Sequence, residues 1–345
     1  MNMYTVYNRC RKVNVRTIPK ALLGLCLCAA MASGSSPDVG KIVRLSPEVD
    51  AIVPADAKVE QVATITGGFG EGPIWTREGY LLFSDIPGNA IMKLTPDGKL
   101  SVFRKPSGYD GKDAPPGAFV GSNGLTLDKQ GRLIICEQGN RRVTRLEKDG
   151  KITVLADHYE GKRFSSPNDV VVKSDGAVYF TDPPHGLAKE DDDPAKELKF
   201  NGVYRVAGGK VQLLTTELNR PNGIAFTPDE KYLYLGNSSS KRRLWMRFEV
   251  QPDGSLANGK VFVEATSSPE EGVPDGMKVD KKGNIYAAGP GGLWLMSPQG
   301  KHIGTIVLPS APSNCNWGDK DGKTLYITTG IGVYRVRLSI EGVRP

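Results

Sequence analysis

Six times along this chain a short loop opens a strand, which is followed by a turn bearing Gly, Asp or Glu and then by a second apolar strand. The copies are Gly70-Glu71-Gly72-Pro73, Ser122-Asn123-Gly124-Leu125, Pro167-Asn168-Asp169-Val170, Pro221-Asn222-Gly223-Ile224, Pro274-Asp275-Gly276-Met277 and Ser313-Asn314-Cys315-Asn316. From Glu71 through Asn123, Asn168, Asn222, Asp275 and Asn314 the steps are 52, 45, 54, 53 and 39 residues, a period that suits one four-stranded blade of a β-propeller. The expected fold is therefore all-β, a six-bladed propeller. Such a repeat places equivalent positions around one axis. Glu71, Asn168, Asn222 and Asp275, far apart in sequence, then converge on one spot and offer oxygen atoms and two negative charges.

Between the first strand and residue 338 the texture hardly changes. Runs such as Tyr80-Leu-Leu-Phe-Ser, Ala177-Val-Tyr-Phe-Thr and Tyr232-Leu-Tyr-Leu-Gly, bounded by turns such as Asp97-Gly98 and Asp149-Gly150, read as period-2 strands. Helical periodicity is absent. Each Asn-Gly or Asp-Gly step has a plain alternative as a hairpin turn, because these dipeptides favour the type I′ conformation. Yet each loop is followed by an apolar strand that ends in a separate turn of its own, as at residues 128–131 and 280–283. The loop Asn or Asp is then expected at the head of the innermost strand of its blade, facing a central channel. The sixth repeat supplies only three strands, so its fourth is expected from residues 59 to 66, a closure that leaves no free sheet edge.

Residues 1 to 20 carry five basic residues and no acid, and they run into the 12-residue apolar stretch from Ala21 to Ala32, which ends in Ala30-Met31-Ala32. That stretch is too short for a membrane span, which needs roughly 20 residues, and it reads as a signal peptide. The expected organisation is a signal peptide over 1–32, a flexible Ser-, Pro- and Asp-rich arm over 33–57, and a propeller domain over 58–345. The expected location is periplasmic or secreted. A lipid anchor on Cys26 or Cys28 is disfavoured by Leu25 and Leu27 before them. Without the first 32 residues the chain has 40 basic against 38 acidic residues, and its formal charge falls from +7 to +2. No basic footprint for nucleic acid remains, and no protein partner is implied. Only Cys136 and Cys315 are left, either bridged or as two separate buried thiols.

The ordered set Gly-Glu-Gly-Pro, Ser-Asn-Gly, Pro-Asn-Asp, Pro-Asn-Gly and Pro-Asp-Gly-Met resembles the gluconolactonase and regucalcin (senescence marker protein) family of six-bladed propellers. Cys136-Glu-Gln-Gly-Asn-Arg-Arg-Val, Thr181-Asp-Pro-Pro and Gly289-Pro-Gly-Gly-Leu-Trp bring it nearest the bacterial gluconolactonase branch, over residues of roughly 58 to 338. The resemblance implies one divalent cation at the channel, held by Glu71, Asn168, Asn222 and Asp275. Asn168 ranks below the other three, because in some relatives it contacts substrate instead. An all-oxygen set suits a hard ion, Ca²⁺ first, with Mg²⁺, Mn²⁺ or Zn²⁺ as other divalent choices. Two carboxylates near one axis also need a counter-charge.

Around that site stand loops expected on the same face. Asn123 and Asn168 are expected to contact substrate, together with Glu137 and His185. Glu137 and Asp182 either hydrogen-bond sugar hydroxyls or pair with Arg141 or Arg142. His185 stands where relatives carry an aromatic residue, while His158 and His302 read as solvated. Residues 188–197 are a charged loop or a lid, and residues 105–121, with Phe119, form a second wall. The implied activity is hydrolysis of a sugar lactone, a small-molecule substrate, with the metal polarising the carbonyl and Asp275, or else Glu71, as general base. The alternatives are an organophosphate or other cyclic-ester hydrolase on the same site, or a non-catalytic binding platform.

Overall fold

The middle strands show how this sequence closes on itself. Leu81–Asp85, Leu133–Glu137, Val178–Asp182, Ile285–Gly289 and Thr324–Thr329 are buried at every position, on both faces. A strand in a two-layer sandwich keeps one wet face, whereas these are covered on each side by a neighbouring sheet. Successive residues therefore serve different interfaces: Leu81 packs toward Tyr326 and Val333, while Leu82 packs toward Leu125 and Leu133.

The computed structural model describes residues 38–114 and 118–345, so the segment read as a signal peptide, 1–32, lies outside the described residues. Six antiparallel sheets follow in order. Blade 1 runs Gly70–Trp75, Leu81–Asp85, Ala90–Leu94 and Leu100–Arg104, and blade 2 runs Ser122–Leu127, Leu133–Glu137, Arg142–Leu146 and Ile152–Ala156. Blade 3 takes Val170–Val172, Val178–Asp182, Gly202–Ala207 and Lys210–Thr215; blade 4 takes Pro221–Phe226, Tyr232–Asn237, Leu244–Val250 and Leu256–Glu264. Met277–Val279, Ile285–Gly289, Gly292–Met296 and His302–Val307 make blade 5, and Pro312–Gly318, Thr324–Thr329 and Gly332–Arg337 begin blade 6. The innermost strands touch in a closed circle, blade 6 meeting blade 1. The chain is thus an all-β, six-bladed propeller.

The fourth strand of blade 6 is Val59–Thr64, antiparallel to Gly332–Arg337 with Val59 opposite Val336 and Thr64 opposite Gly332. The two ends of the chain close the ring, as the three-strand count of the last repeat predicts. There is no single core. Six apolar clusters fill the six seams between neighbouring blades, and each fully buried Leu, Ile or Phe contributes about 1.5–3 kcal/mol. The seam between blades 5 and 6 carries Tyr286 edge-on to Trp317, with ring centroids 4.8 Å apart.

The expectation of a flexible arm differs from the structure over residues 38–57. Lys41–Arg44 adds a fifth strand to blade 5, with Lys41 opposite Val307 and Arg44 opposite Gly304. Beyond it Val49, Ile52 and Val53 are buried in the seam of blades 5 and 6. The Ser, Pro and Asp content obscures this apolar triplet, whose i, i+3, i+4 spacing presents one face. Gly304 admits it, since a Cβ there would stand 2.9 Å from both the Val43 carbonyl oxygen and Val49.

Cys136 and Cys315 are free, buried thiols, the first between blades 2 and 3 and the second between blades 5 and 6. Burial pushes the Cys315 thiol up to about 12. Among the described residues no helix is long and apolar enough to cross a membrane.

Candidate metal and catalytic centre

Why Gly so often follows the loop Asn, Asp or Glu is answered by the contact between one blade's loop and the next. A Cβ on Gly72 would lie 2.4 Å from the carbonyl oxygen of Asn123, and one on Gly124 would lie 2.6 Å from that of Asn168. On Gly223 it would lie 2.2 Å from the carbonyl oxygen of Asp275, and on Gly276 2.0 Å from Cγ of Asn314. Such distances exclude a side chain. Backbone bonds fasten the same circle: Gly124 N donates to Asn168 O at 2.7 Å and Gly276 N to Ser313 O at 2.8 Å. The Asn-Gly and Asp-Gly steps are therefore ring contacts, and not the hairpin turns that the dipeptides alone suggest.

Glu71, Asn123, Asn168, Asn222, Asp275 and Asn314 are all buried on this ring. Burial, reinforced by the charge of Asp169, pushes the Glu71 carboxyl up to about 7. Asn314 Nδ2 at 3.0 Å and Gly72 N at 2.6 Å both donate to Glu71 Oε2 and oppose that rise. Asp275 is pushed well above the carboxylate range by burial, then by Glu71 and Asp169, with Asn222 acting in the other direction. The two carboxyls expected near one axis do interact, and Glu71 makes Asp275 harder to ionise.

Two charged residues of the channel escaped the sequence reading. Asp169 is 2% exposed and accepts from Val170 N at 2.9 Å and Ile224 N at 3.4 Å. Lys278 Nζ stands 3.9 Å from Asp169 Oδ2 and donates to Asn314 Oδ1 at 3.4 Å. A signal was present for both. Asp169 is the one acid at the position after the loop Asn, Asp or Glu in the six copies, and Lys278 the one charged residue three positions after it.

The expected substrate contacts divide. Asn123 Nδ2 donates to Gln138 Oε1 at 2.7 Å, and Gln138 Nε2 to the Phe119 carbonyl oxygen at 2.6 Å. This relay fixes the carboxamide and leaves Asn123 Oδ1 buried without a hydrogen-bond partner. Phe119 packs on Phe69, centroids 5.2 Å apart, so the expected second wall stands beside the strand of Glu71. Asn168 takes its place on the ring through its backbone, N–H to Thr181 O at 2.8 Å.

Of the two readings of Glu137, substrate contact or pairing with Arg141 or Arg142, the structure shows the pair with Arg142. The Glu137 carboxylate accepts from Arg142 Nε at 2.6 Å, Asn140 Nδ2 at 2.7 Å and Thr144 Oγ1 at 2.8 Å. Asp182 likewise secures the backbone, accepting from Ser165 N at 2.8 Å and Ser166 N at 2.7 Å just before the Asn168 loop. His185 Nε2 meets Ser238 Oγ at 2.9 Å, and its Nδ1 lies 3.7 Å from Glu190, which pairs with Arg220 Nη2 at 2.9 Å. Glu190 thus ties residues 188–197, the charged segment, to Arg220 in the loop before Asn222, with His185 between Glu190 and Ser238. His302, read as solvated, is half-buried, stacked on Trp294 at 3.7 Å, and burial lowers it to about 4.

The donor set fits a divalent cation on structural grounds. Asn222, 1% exposed, makes no hydrogen bond of normal geometry through either side-chain atom, its carboxamide lies close enough to Asp275 to lower that carboxyl, and Glu71 and Asp275 are both harder to ionise because they are buried. Buried amides are normally satisfied and buried like charges compensated. A cation between Glu71, Asn222 and Asp275 resolves both. Among the described residues no three His, Cys, Asp or Glu side chains cluster as a metal cage, so carboxamide oxygens must complete any such site.

Comparison with known proteins accords with this ring. Residues 69–331 match the family described as SMP-30/Gluconolactonase/LRE-like region. The chain is 38% identical to a gluconolactonase of Zymomonas mobilis, over 91% of this chain and 90% of that protein. It is 26% identical to a pentonolactonase of Haloferax volcanii, over 79% and 86%. Its fold superposes on a solved Xanthomonas campestris gluconolactonase with a TM-score of 0.76 at 31% identity, over 90% of this chain and 99% of that one.

Proposed function

This chain belongs to the SMP-30/gluconolactonase/LRE-like family, and from that premise, which supports a gluconolactonase-like lactone hydrolase, we propose that it opens sugar lactones with a divalent cation held by Glu71, Asn222 and Asp275. Asn168 is the fourth, weaker donor, and Ca²⁺ is the first choice for an all-oxygen set. The observation that carries this reading is the pair of interacting, buried carboxyls with a buried carboxamide that makes no hydrogen bond of normal geometry. A cation bound there would polarise the lactone carbonyl as a Lewis acid.

The chain's own residues supply the rest. Asp275 takes a proton from the attacking water, whose oxygen bonds to the carbonyl carbon. The ring C–O bond then breaks, and the ring oxygen leaves as a hydroxyl once protonated, giving a hydroxy acid. Burial and Glu71 raise the pKa of Asp275 in the metal-free site, and a cation bound there would favour its ionised form, the state able to take the proton. Asn123 Oδ1, held toward no protein donor, accepts a hydrogen bond from a substrate hydroxyl. Phe69 and Phe119 cover the apolar face of the sugar ring. Acid release from glucono-δ-lactone, titrated with and without chelator, tests the proposal: loss with chelator and recovery with Ca²⁺ support it, and chelator-insensitive turnover contradicts the metal. The basic and apolar composition of residues 1 to 32 supports export, which N-terminal sequencing of secreted material tests.

A further inference from the structure

Lys278 is left without a role by that chemistry. Its strand neighbours Met277 and Val279 are buried in the seam of blades 4 and 5, and strand alternation turns Lys278 away from it. From blade 5 the ammonium reaches both Asp169 of blade 3 and Asn314 of blade 6. Asp169 in turn acts on Glu71 and Asp275 alike. With a cation bound and both ligand carboxyls ionised, four charged side chains share the axis: three carboxylates against one ammonium, which leaves two negative charges.

That balance complements one divalent ion. We propose, on the reading that Glu71, Asn222 and Asp275 hold a cation, that Lys278 is a selectivity residue: paired with Asp169, it sets the charge of the ring so that a divalent ion is favoured over a trivalent one. It also orients Asn314. With Cys315 N, which donates to the same carboxamide oxygen at 2.9 Å, it keeps Nδ2 turned toward Glu71, where a flipped amide would present an acceptor to a carboxylate. Removing Lys278 leaves three negative charges, the complement of a trivalent ion, whereas removing the Asp169 charge leaves one.

One added charge acts more strongly on a tripositive than on a dipositive ion, and at the effective dielectric of a protein interior the difference is on the order of tenfold in relative affinity. The test is calorimetric titration of metal-stripped protein with Ca²⁺ and with La³⁺, taking the ratio of the two affinities. Lys278→Met should raise the La³⁺ to Ca²⁺ ratio about tenfold, and Asp169→Asn should lower it. The double variant should restore the wild-type ratio, and Lys278→Arg should preserve it. Lys278→Gln repeats the charge loss in case Met disturbs folding, which thermal melting reports. Ratios unmoved by either single variant, in protein that binds Ca²⁺ normally, would overturn the role of Lys278 and leave the metal centre standing. Wild-type protein that binds neither ion would overturn both.

Discussion

Asn314 Nδ2 donates to Glu71 Oε2 at 3.0 Å across 243 positions of sequence, so the seam at which the ring closes is tied at the candidate site itself. Closure of the fold and orientation of the carboxyl proposed to hold the cation are one contact. Asn314→Ala should weaken Ca²⁺ binding, since a hydrogen bond to a charged group is worth about 1.5–3 kcal/mol. Calorimetry at fixed pH measures it, and unchanged affinity would show that Glu71 is placed by other means.

Metal-free protein should lose stability as pH rises. The folded-state pKa of Glu71 is raised from 4.5 to about 7, so the folded protein binds more protons than the unfolded chain in that window. Stability from this group is fully present below about 4.5 and is lost as pH passes about 7. Asp275 is shifted in the same direction. A saturating cation favours the ionised forms and should flatten or reverse the slope. At 100 times Kd it adds about 2.7 kcal/mol. Melting temperatures from pH 5 to 8, with chelator and with Ca²⁺, give the two curves, and their difference excludes Asp182, which has the same sign but does not lie among the proposed ligands.

Truncation separates the two N-terminal strands. Deletion through residue 64 removes Val59–Thr64, reopens the ring and should abolish cooperative unfolding. Deletion through residue 57 leaves that strand but removes Val49, Ile52 and Val53 from their seam, at about 1.5–3 kcal/mol for each. Urea melts of the two fragments should therefore differ in kind. Equal stability would contradict closure by this strand.

Gly223→Ala should cost about 3 kcal/mol, because its Cβ would meet the Asp275 backbone at 2.2 Å, where neither side yields easily. Gly150 sits in an open turn at φ +84 with nothing near its Cβ. There the same change should cost only backbone strain, about 1–2 kcal/mol. The contrast, read from chemical denaturation, tests whether the Gly residues after the loop Asn and Asp serve ring packing.

Much of this was legible in the sequence because a repeat converts spacing into position. The six loops, the blade count and the closing strand follow from a period of about 50 residues and from one missing strand. Glu71, Asn222 and Asp275 share their place in that period with Asn123, Asn168 and Asn314, and it is the family resemblance that implies a cation at them. Hydrogen-bond partners are not periodic, so the sequence left Glu137 open between substrate and Arg141 or Arg142, and the structure shows Arg142, five residues on, bonded to it. The burial of Val49, Ile52 and Val53 depends on a partner seam some 240 residues away, which local composition cannot reveal. Asp169 and Lys278 were passed over because each departs from the repeat, although a departure in charge is itself a signal.

Asp275 carries the central claim, as both a metal donor and the base that takes a proton from water. Asp275→Asn keeps one oxygen for the cation but removes the charge and the basic site, so affinity should weaken while binding persists. The decisive measurement is kcat for glucono-δ-lactone in Asp275→Asn at saturating Ca²⁺, with occupancy established by calorimetry. The account predicts a fall of about 10²- to 10⁴-fold at full occupancy, the contribution of a positioned general base. Near-wild-type kcat in the fully occupied variant would contradict it and leave Asp275 as a ligand only.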